Sequence, residues 1–589
     1  MVAAHRRGEK LLLTRMMIVA AGMSSLITGF AMAAELDDGQ KTELKPVLSR
    51  LSEVCGADLA QLSSNDLKQL NQFYTEFNFI PQWTSAEQRE QLQAQIQQLR
   101  FDGLNPKQYP LAANNNAFDA ESCIDIQLSH SYLSALQALR QGVLDPQQVE
   151  PYWFDKNTQG FNWQADTVAL AAQYIAQPEQ AFSAVRPKLI TYQQLRNALQ
   201  QRLERGQQSW VEVPAGAKSL KPNARDDERT PILRARLTEL NYLPEESAVS
   251  ILPSAAGLAE IMTVAESALI AEHLVANQAA ARTEELHGLS APIVEPENIY
   301  DAELVEAVKA FQRDHRLADD GIVGPATLKQ INISPEQRNR QIAINLERMR
   351  WVNNLMEPTL LLIDIAGAQL NYFYQGEHVW QSRGQVGSAA RKTPLMKSRV
   401  THLTLNPTWT VPPTIYRRDK LPAIQRDIGY LERSRMTVLD MQGNRLDPYE
   451  IDWSNPGPIM LRQAAGPRNA LGQVAIRFPN PFMVYLHDTP SQALFDRANR
   501  SVSSGCVRVE NIQHLIDWLF KDAGSALQNK VKQVQQSGRT QNVSLAQPIP
   551  VLLAYWTAAV EEDGRLQFRS DIYNYDSDLI NAWRKAVEL

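Results

Sequence analysis

The stretch "SVSSGCVRVEN" (501–511) sets Cys506 among serines and a glycine, two residues ahead of Arg508. The chain has 589 residues and only three cysteines. A cysteine in this setting is a packed core residue, half of a disulfide, a metal ligand or a nucleophile. His487 lies nineteen residues upstream at the end of the strand-like run "MVYLHD", with Tyr485 two residues before it. A thiol becomes a useful nucleophile when a neighbouring imidazole or a helix N-terminus stabilises its thiolate. Gly505 would let a substrate approach the backbone, and the N–H groups of a tight turn can hold an oxyanion. The helix beginning near Asn511 would add its positive end. Each feature also has a plainer reading, because a strand-end histidine is usually structural and a Gly-Cys pair is often just a turn. Residue type and spacing leave both readings open.

Positioning such a pair requires a stiff framework, and from about residue 357 the chain reads as strands. "TLLLIDI" and "QLNYFYQ" are separated by Ala366-Gly367-Ala368, and "HVWQSRGQV" follows Gln375-Gly376-Glu377, which predicts an antiparallel meander. "VTHLTLNPTWTVPPTI" continues it, and "PVLLAYWTAAV" and "RLQFRSDIY" flank the hairpin signal Asp563-Gly564. "NIQHLIDWLF" is an amphipathic helix offering Ile512, Leu515, Ile516, Leu519 and Phe520 for burial. Residues about 414–465, rich in Arg, Asp, Pro and Tyr, fit this sheet poorly and read as an insertion over it.

Upstream, residues 45 to about 210 are helical in pattern: Leu133, Leu136 and Leu139 recur at helical spacing, as do Leu189, Leu195, Leu199 and Leu203. "VPAGAKSLKPNARDDERTP" (213–231) marks a boundary. Beyond it, Phe311-Gln312 and "DGIVGPATL" (320–328) resemble the hallmark of the small three-helix peptidoglycan-binding domain, with Gly321 and Gly324 suiting tight turns. That match is interrupted by an Ala- and Leu-rich insertion at about 245–299. A packing module that holds no glycan is the alternative.

Composition is ordinary, with 44% hydrophobic and 21% charged residues and a formal net charge of −6, so no basic excess suggests a nucleic-acid partner. The nine histidines are scattered, with no HExxH, CxxC pair or P-loop, so no metal or nucleotide cofactor is expected. Arg6, Arg7, Lys10 and Arg15 precede "MMIVAAGMSSLITGFAMAA", which ends in Ala31-Met32-Ala33. This is the pattern of a secretory signal, with an uncleaved inner-membrane anchor as the alternative, and it predicts a periplasmic protein. In an oxidising compartment two of three cysteines can pair, and the economical assignment is Cys55–Cys123 with Cys506 free.

The motif that ties these parts together is His487, fifteen intervening residues, then Ser503-Ser504-Gly505-Cys506-Val507-Arg508. It resembles the catalytic domain of the L,D-transpeptidases, the YkuD type, in which many members carry His where this chain has Ser504. "VGSAARKTP" (386–394) and "LNPTWTVPPTI" (405–415) also resemble family segments flanking the site, and the whole order is most similar to the long YcbB-type enzymes. The resemblance implies a multi-domain α+β protein. Its parts would be a signal or anchor (1–34), a helical scaffold (35–229) and a peptidoglycan-binding-like domain (230–333). A linker helix (334–356), a mostly β catalytic domain (357–575) capped by the 414–465 insertion, and a C-terminal tail (576–589) would follow.

It also implies cell-wall chemistry bearing on cell shape: 3→3 cross-linking of diaminopimelate residues through a Cys506 thioester, with His487 moving the proton. The N–H groups of Gly505 and Cys506, with Tyr485, would stabilise the oxyanion, and Ser504 would shape the turn. Arg508 would bind a substrate carboxylate or pair with Glu510, and Trp409 would line the pocket or pack in a core. The implied partners are peptidoglycan stem peptides and glycan, cell-wall synthesis proteins, and carbapenem-type β-lactams acylating Cys506. The rivals are an L,D-carboxypeptidase or endopeptidase using water, a lipoprotein-tethering enzyme, and an inactive wall-binding scaffold.

Overall fold

The computed structural model describes residues 43–55, 59, 61–111, 120–150, 163–206, 210–244, 298–561 and 564–588. The leader-like segment and nearly all of the 245–299 insertion lie outside the described residues. The chain divides into two compact units, residues 1–84 with 112–129, and residues 85–111 with 130–589.

In the first unit, Ser63 and Asp66 form a reciprocal capping box that starts the helix Ser64–Thr75. Asp125 is its polar anchor: it accepts the Tyr74 hydroxyl at 2.6 Å and the Trp83 backbone N–H at 2.7 Å. Cys55 and Cys123 are joined by a disulfide.

The second unit holds the remaining helical scaffold, where Arg186, Arg196 and Tyr192 converge on buried Asp102 at 3.1, 3.1 and 2.9 Å. The Phe-Gln and "DGIVG" signature is a folding device here. Helix α1 (Ala302–Asp314) ends by presenting Gln312, whose amide donates to the Ile322 carbonyl at 3.0 Å and accepts the Gly321 N–H at 2.9 Å. Gly321 has φ +68, the left-handed region that a glycine enters without penalty.

Helix α2 (Pro335–Asn353) lies where a linker helix is expected over 334–356, and its residues from Gln341 to Val352 are all buried. The charges within that buried stretch are each matched: Arg348 reaches Glu150 at 2.8 Å and Asp576 at 2.6 Å, and Arg350 reaches Glu347 at 2.6 Å. Residues 576–589 are no loose tail. Helix α3 (Asp576–Val587) packs Leu579, Trp583 and Val587 in one cluster with Ile344 and Trp351 of α2.

The catalytic-type region starts with β1 (Leu360–Asp364), β2 (Gln369–Tyr374), β3 (Glu377–Gly387) and β4 (Met396–Leu405). An inserted cap carries β5 (Trp409–Thr410), β6 (Met436–Leu439) and β7 (Met460–Gln463). Then come β8 (Val474–Arg477), β9 (Leu486–His487), β10 (Ser501–Ser503), β11 (Val507–Val509) and β12 (Gln541–Ala554). A hairpin of β13 (Ala558–Val560) and β14 (Leu566–Phe568) completes it.

The expected meander holds for β1–β2–β3, but the nine-stranded sheet is mixed, in the order β10-β3-β11-β9-β8-β4-β12-β1-β2, with β12 parallel to β1 and β11 parallel to β9. Its core takes in helix Ile512–Leu519 through Leu515 and Ile516, and α2 through Ile342, Leu346 and Met349. The cap has its own sheet and its own core of Trp409, Val411, Ile424, Leu431, Val438 and Leu461. That core extends from Trp409 to Ala475, wider than the 414–465 read from composition.

Candidate active site

Strand register brings the site residues together. β9 and β11 pair in parallel, Leu486 with Val507 and His487 with Arg508, while β8 and β9 pair Ala475 with His487. Because side chains alternate, Tyr485, His487, Cys506 and Arg508 all project from one face of the sheet. Two rows therefore cross the strands. One runs Arg477–Tyr485–Cys506, and the other His487–Arg508–Gln385. The Arg477 guanidinium carbon lies 3.9 Å from the Tyr485 ring centroid, and the Tyr485 and His487 rings are 5.8 Å apart.

Cys506 is the free cysteine and is half-buried. Burial pushes its thiol above the ordinary value, against hydrogen bonds from the Tyr485 backbone and hydroxyl and the charges of Arg477 and Arg508. His487 is buried, and its Nδ1 is hydrogen-bonded to the Asp488 carbonyl. A carbonyl only accepts, so Nδ1 carries the proton and Nε2 is left as the basic nitrogen. Burial first, then the charges of Arg508 and Arg477, hold His487 down at about 3. At neutral pH the resting pair is a thiol and a neutral imidazole. Among the described residues no hydrogen bond joins His487 to Cys506.

The loop that presents Cys506 is braced at every residue. Gly505 has φ +112, and a Cβ there would stand 3.4 Å from the Lys392 carbonyl, so backbone conformation rather than crowding demands glycine. Thr393 Oγ1 donates to the Gly505 carbonyl at 2.8 Å and accepts the Gly387 N–H at 2.8 Å. Ser503 Oγ donates to the Cys506 carbonyl and accepts the Gly505 N–H at 3.1 Å. Ser504 Oγ accepts from Arg391, whose guanidinium also grips Asp419 of the cap at 2.6 and 2.7 Å.

Several expectations change on this geometry. The Gly505 N–H is spent on Ser503, which removes it from an oxyanion hole and leaves Cys506 N–H and the Tyr485 hydroxyl. Arg508 does not pair with Glu510: it donates to Gln385 Oε1 at 2.9 Å, while Glu510 takes Arg383 at 2.7 Å. Among the described residues no carboxylate bonds Arg508, and its Nε is buried without a partner. Trp409 is buried in the cap core with Lys420 Nζ 5.6 Å from its ring centroid, the packing alternative of its two readings. The helix after Cys506 begins only at Ile512, beyond strand β11, so its dipole, which fades within a turn, does not reach the thiol.

Arg477, Arg391, Thr393 and Asp419 were not singled out from sequence. Arg391 and Thr393 lie inside the flanking "VGSAARKTP" segment, but nothing local marks Arg477 or Asp419.

Residues 358–529 match the family described as the L,D-transpeptidase catalytic domain (YkuD), residues 68–199 a scaffold domain, and residues 285–331 a "Putative peptidoglycan binding domain". A protein of Haemophilus influenzae (strain ATCC 51907 / DSM 11121 / KW20 / Rd) named "Putative L,D-transpeptidase" is 36% identical over 256 residues, 43% of this chain and 50% of that protein. The chain thus spans about half the length of that curated relative. Among solved structures, an L,D-transpeptidase from Mycobacterium smegmatis is 15% identical, with a TM-score of 0.16 over 33% of this chain and 58% of that one. LD transpeptidase LdtMt1 in complex with imipenem is 13% identical, with a TM-score of 0.16 over 33% and 59%.

Proposed function

From a chain that carries a YkuD-type L,D-transpeptidase catalytic domain and a peptidoglycan-binding domain, we propose an exported enzyme that forms 3→3 cross-links between diaminopimelate residues of peptidoglycan. The observation that carries this reading is the free Cys506 held on one sheet face with Tyr485 at its sulfur and His487 on the neighbouring strand.

Cys506 Sγ attacks the carbonyl between the L-centre of diaminopimelate and the terminal D-Ala of a donor tetrapeptide. The thiol proton passes to His487 Nε2 as the S–C bond forms. Cys506 N–H and the Tyr485 hydroxyl receive the negative charge on oxygen, a role worth ~3–4 kcal/mol per donor in acyl transfer. His487 then gives the proton to the leaving nitrogen, the C–N bond breaks, and D-Ala departs. The side-chain amine of an acceptor stem attacks the thioester, loses its proton to His487, and returns the thiol.

Arg508, a cation without an acid partner, offers its guanidinium to a stem-peptide carboxylate. The cap, tied to the cysteine loop through Arg391 and Asp419, closes over the peptides. The Cys55–Cys123 disulfide and the leader-like segment support a periplasmic location. Water as acceptor would make the same thioester and release a tripeptide.

The test is intact mass after incubation with a carbapenem or a disaccharide-tetrapeptide, for the protein and for Cys506→Ala. A covalent adduct on the first alone supports the mechanism; no adduct, or equal adducts, ends it. Muropeptide analysis then separates cross-linked dimer from released tripeptide.

A further inference from the structure

A cavity of about 410 Å³ opens at the far end of β11 and is lined among others by Arg316, Trp380, Arg383, Arg500 and His514. It is separate from the thiol: Glu510 on its wall is four residues of nearly extended chain beyond Cys506, about 13 Å at the rise of a strand. Arg316 comes from the peptidoglycan-binding segment, Trp380 and Arg383 from β3, and Arg500 from the chain just before β10, so two modules contribute to it.

Its charges do not balance. Arg383 is neutralised by Glu510 at 2.7 Å and Asp496 at 3.1 Å. Among the described residues, buried Arg500 donates to carbonyls alone, those of Gly384 at 3.1 Å, of Gly367 and Ala368 at 3.2 Å and of Arg497 at 3.5 Å, with no carboxylate bonded to it. For Arg316 the acid within reach is Glu561 at 4.0 Å, already engaged by Arg569 at 2.9 Å, and its Nε is buried without a partner. Burial, then repulsion from neighbouring arginines, lowers Arg316 to about 9 and Arg500 to about 10. Two guanidiniums held from bulk water with no acid at hydrogen-bond distance among the described residues are stabilised by any anion that enters, and the fork of Arg316, unlike that of Arg500, is not committed to carbonyls and matches a carboxylate. The half-buried Trp380 ring adds a flat apolar wall of the kind that backs a sugar or an extended peptide.

We propose that this cavity binds a carboxylate-bearing unit of peptidoglycan away from the reacting centre, with Arg316 taking the carboxylate, the buried charge of Arg500 favouring its entry and Trp380 backing the attached group. The identity of the polymer rests on the function proposed above; the anion site does not. Such a site would hold a strand of wall across both modules while its stem peptides reach Cys506.

The test is calorimetric titration of the full-length Cys506→Ala protein, which binds without turnover. The probes are a disaccharide-tetrapeptide, the free tetrapeptide, a peptide-free disaccharide bearing the lactyl carboxylate of muramic acid, and chitobiose, which has no carboxylate. Arg316→Gln in that background should weaken binding of the carboxylate probes tenfold or more, and Arg316→Lys by less, because charge persists without the fork. Which of the peptide and the lactyl probes responds identifies the source of the carboxylate. Unchanged affinity in Arg316→Gln, or chitobiose binding as tightly as the acids, overturns the proposal. Carbapenem acylation of Arg316→Gln with Cys506 intact should equal that of the parent, so loss of acylation in the parent would sink the thioester mechanism without touching this site.

Discussion

Replacing Tyr485 by phenylalanine should make Cys506 a ten- to hundredfold slower nucleophile at neutral pH. The thiol sits above its ordinary value of 9.0 because it is buried, and the thiolate is favoured by the Tyr485 backbone, then by the charges of Arg477 and Arg508, and last by the Tyr485 hydroxyl, the one of these that a conservative substitution removes alone. A hydrogen bond to a charged atom contributes about 1.5–3 kcal/mol. At 1.36 kcal/mol per pKa unit, its loss raises the thiol by one to two further units. The assay is the rate of iodoacetamide alkylation of Cys506 between pH 6 and 10, read by intact mass. The parent protein should alkylate about tenfold faster per pH unit from 7 to 9, because less than about 1% of a thiol titrating above 9 is ionised at pH 7. Tyr485→Phe should displace that curve to higher pH. His487→Gln should abolish acylation by substrate yet barely move the curve, because a histidine held at about 3 carries no charge near neutrality with which to stabilise a thiolate. A flat alkylation rate from pH 5 to 8 would reveal a resting thiolate–imidazolium pair and refute the reasoning.

Three further outcomes follow from the described contacts. His487 and His315 both have depressed proton affinity, largely from burial, so the unfolded chain binds their protons near 6.5 and the native protein does not. Their contribution is therefore complete above 6.5 and falls with acid by up to about 1.4 kcal/mol per pH unit per histidine; a urea midpoint that is flat from pH 7 to 5 would contradict this. Opening the Cys55–Cys123 bridge, which spans a sequence separation of 68, should cost the first unit about 4 kcal/mol on a chain-entropy estimate, visible as an earlier melting step under reductant. Asp419→Asn should release the cap clasp: the pair is partly exposed and contributes less than about 1 kcal/mol to stability, so the melting temperature should hold while proteolysis of residues 414–465 quickens and KM rises.

The motif of His487, Ser503, Gly505 and Cys506 was legible because each position demands a particular residue type. Gly505 must be glycine at φ +112, and a lone thiol in a chain with two other, pairable cysteines stands out. The "DGIVG" loop, the hairpin before β14 and the helix Ile512–Leu519 were legible for the same reason, since turn chemistry and helical periodicity act over a few residues. The burial of helix α2 was not legible, because its polarity is matched by Glu150 and Asp576, which lie far away in sequence and come close only in the fold.

By itself, then, the sequence marked Cys506 and His487 as the candidate nucleophile and base and set the character of the segments around them, because these are properties of residue type and short-range pattern. Only the tertiary structure decided the charge state of the pair and the roles of the neighbouring residues. The parallel pairing of β9 with β11 sets Tyr485 and His487 beside Cys506 and Arg508. The antiparallel β8 then brings Arg477, and burial turns what spacing alone would allow as a thiolate into a neutral thiol. Arg508 was drawn away from Glu510 by Gln385 across β3, a partner 123 residues off that no local pattern specifies. Strand register and desolvation are set by the whole sheet, so they are written in the fold and not in any stretch of the chain.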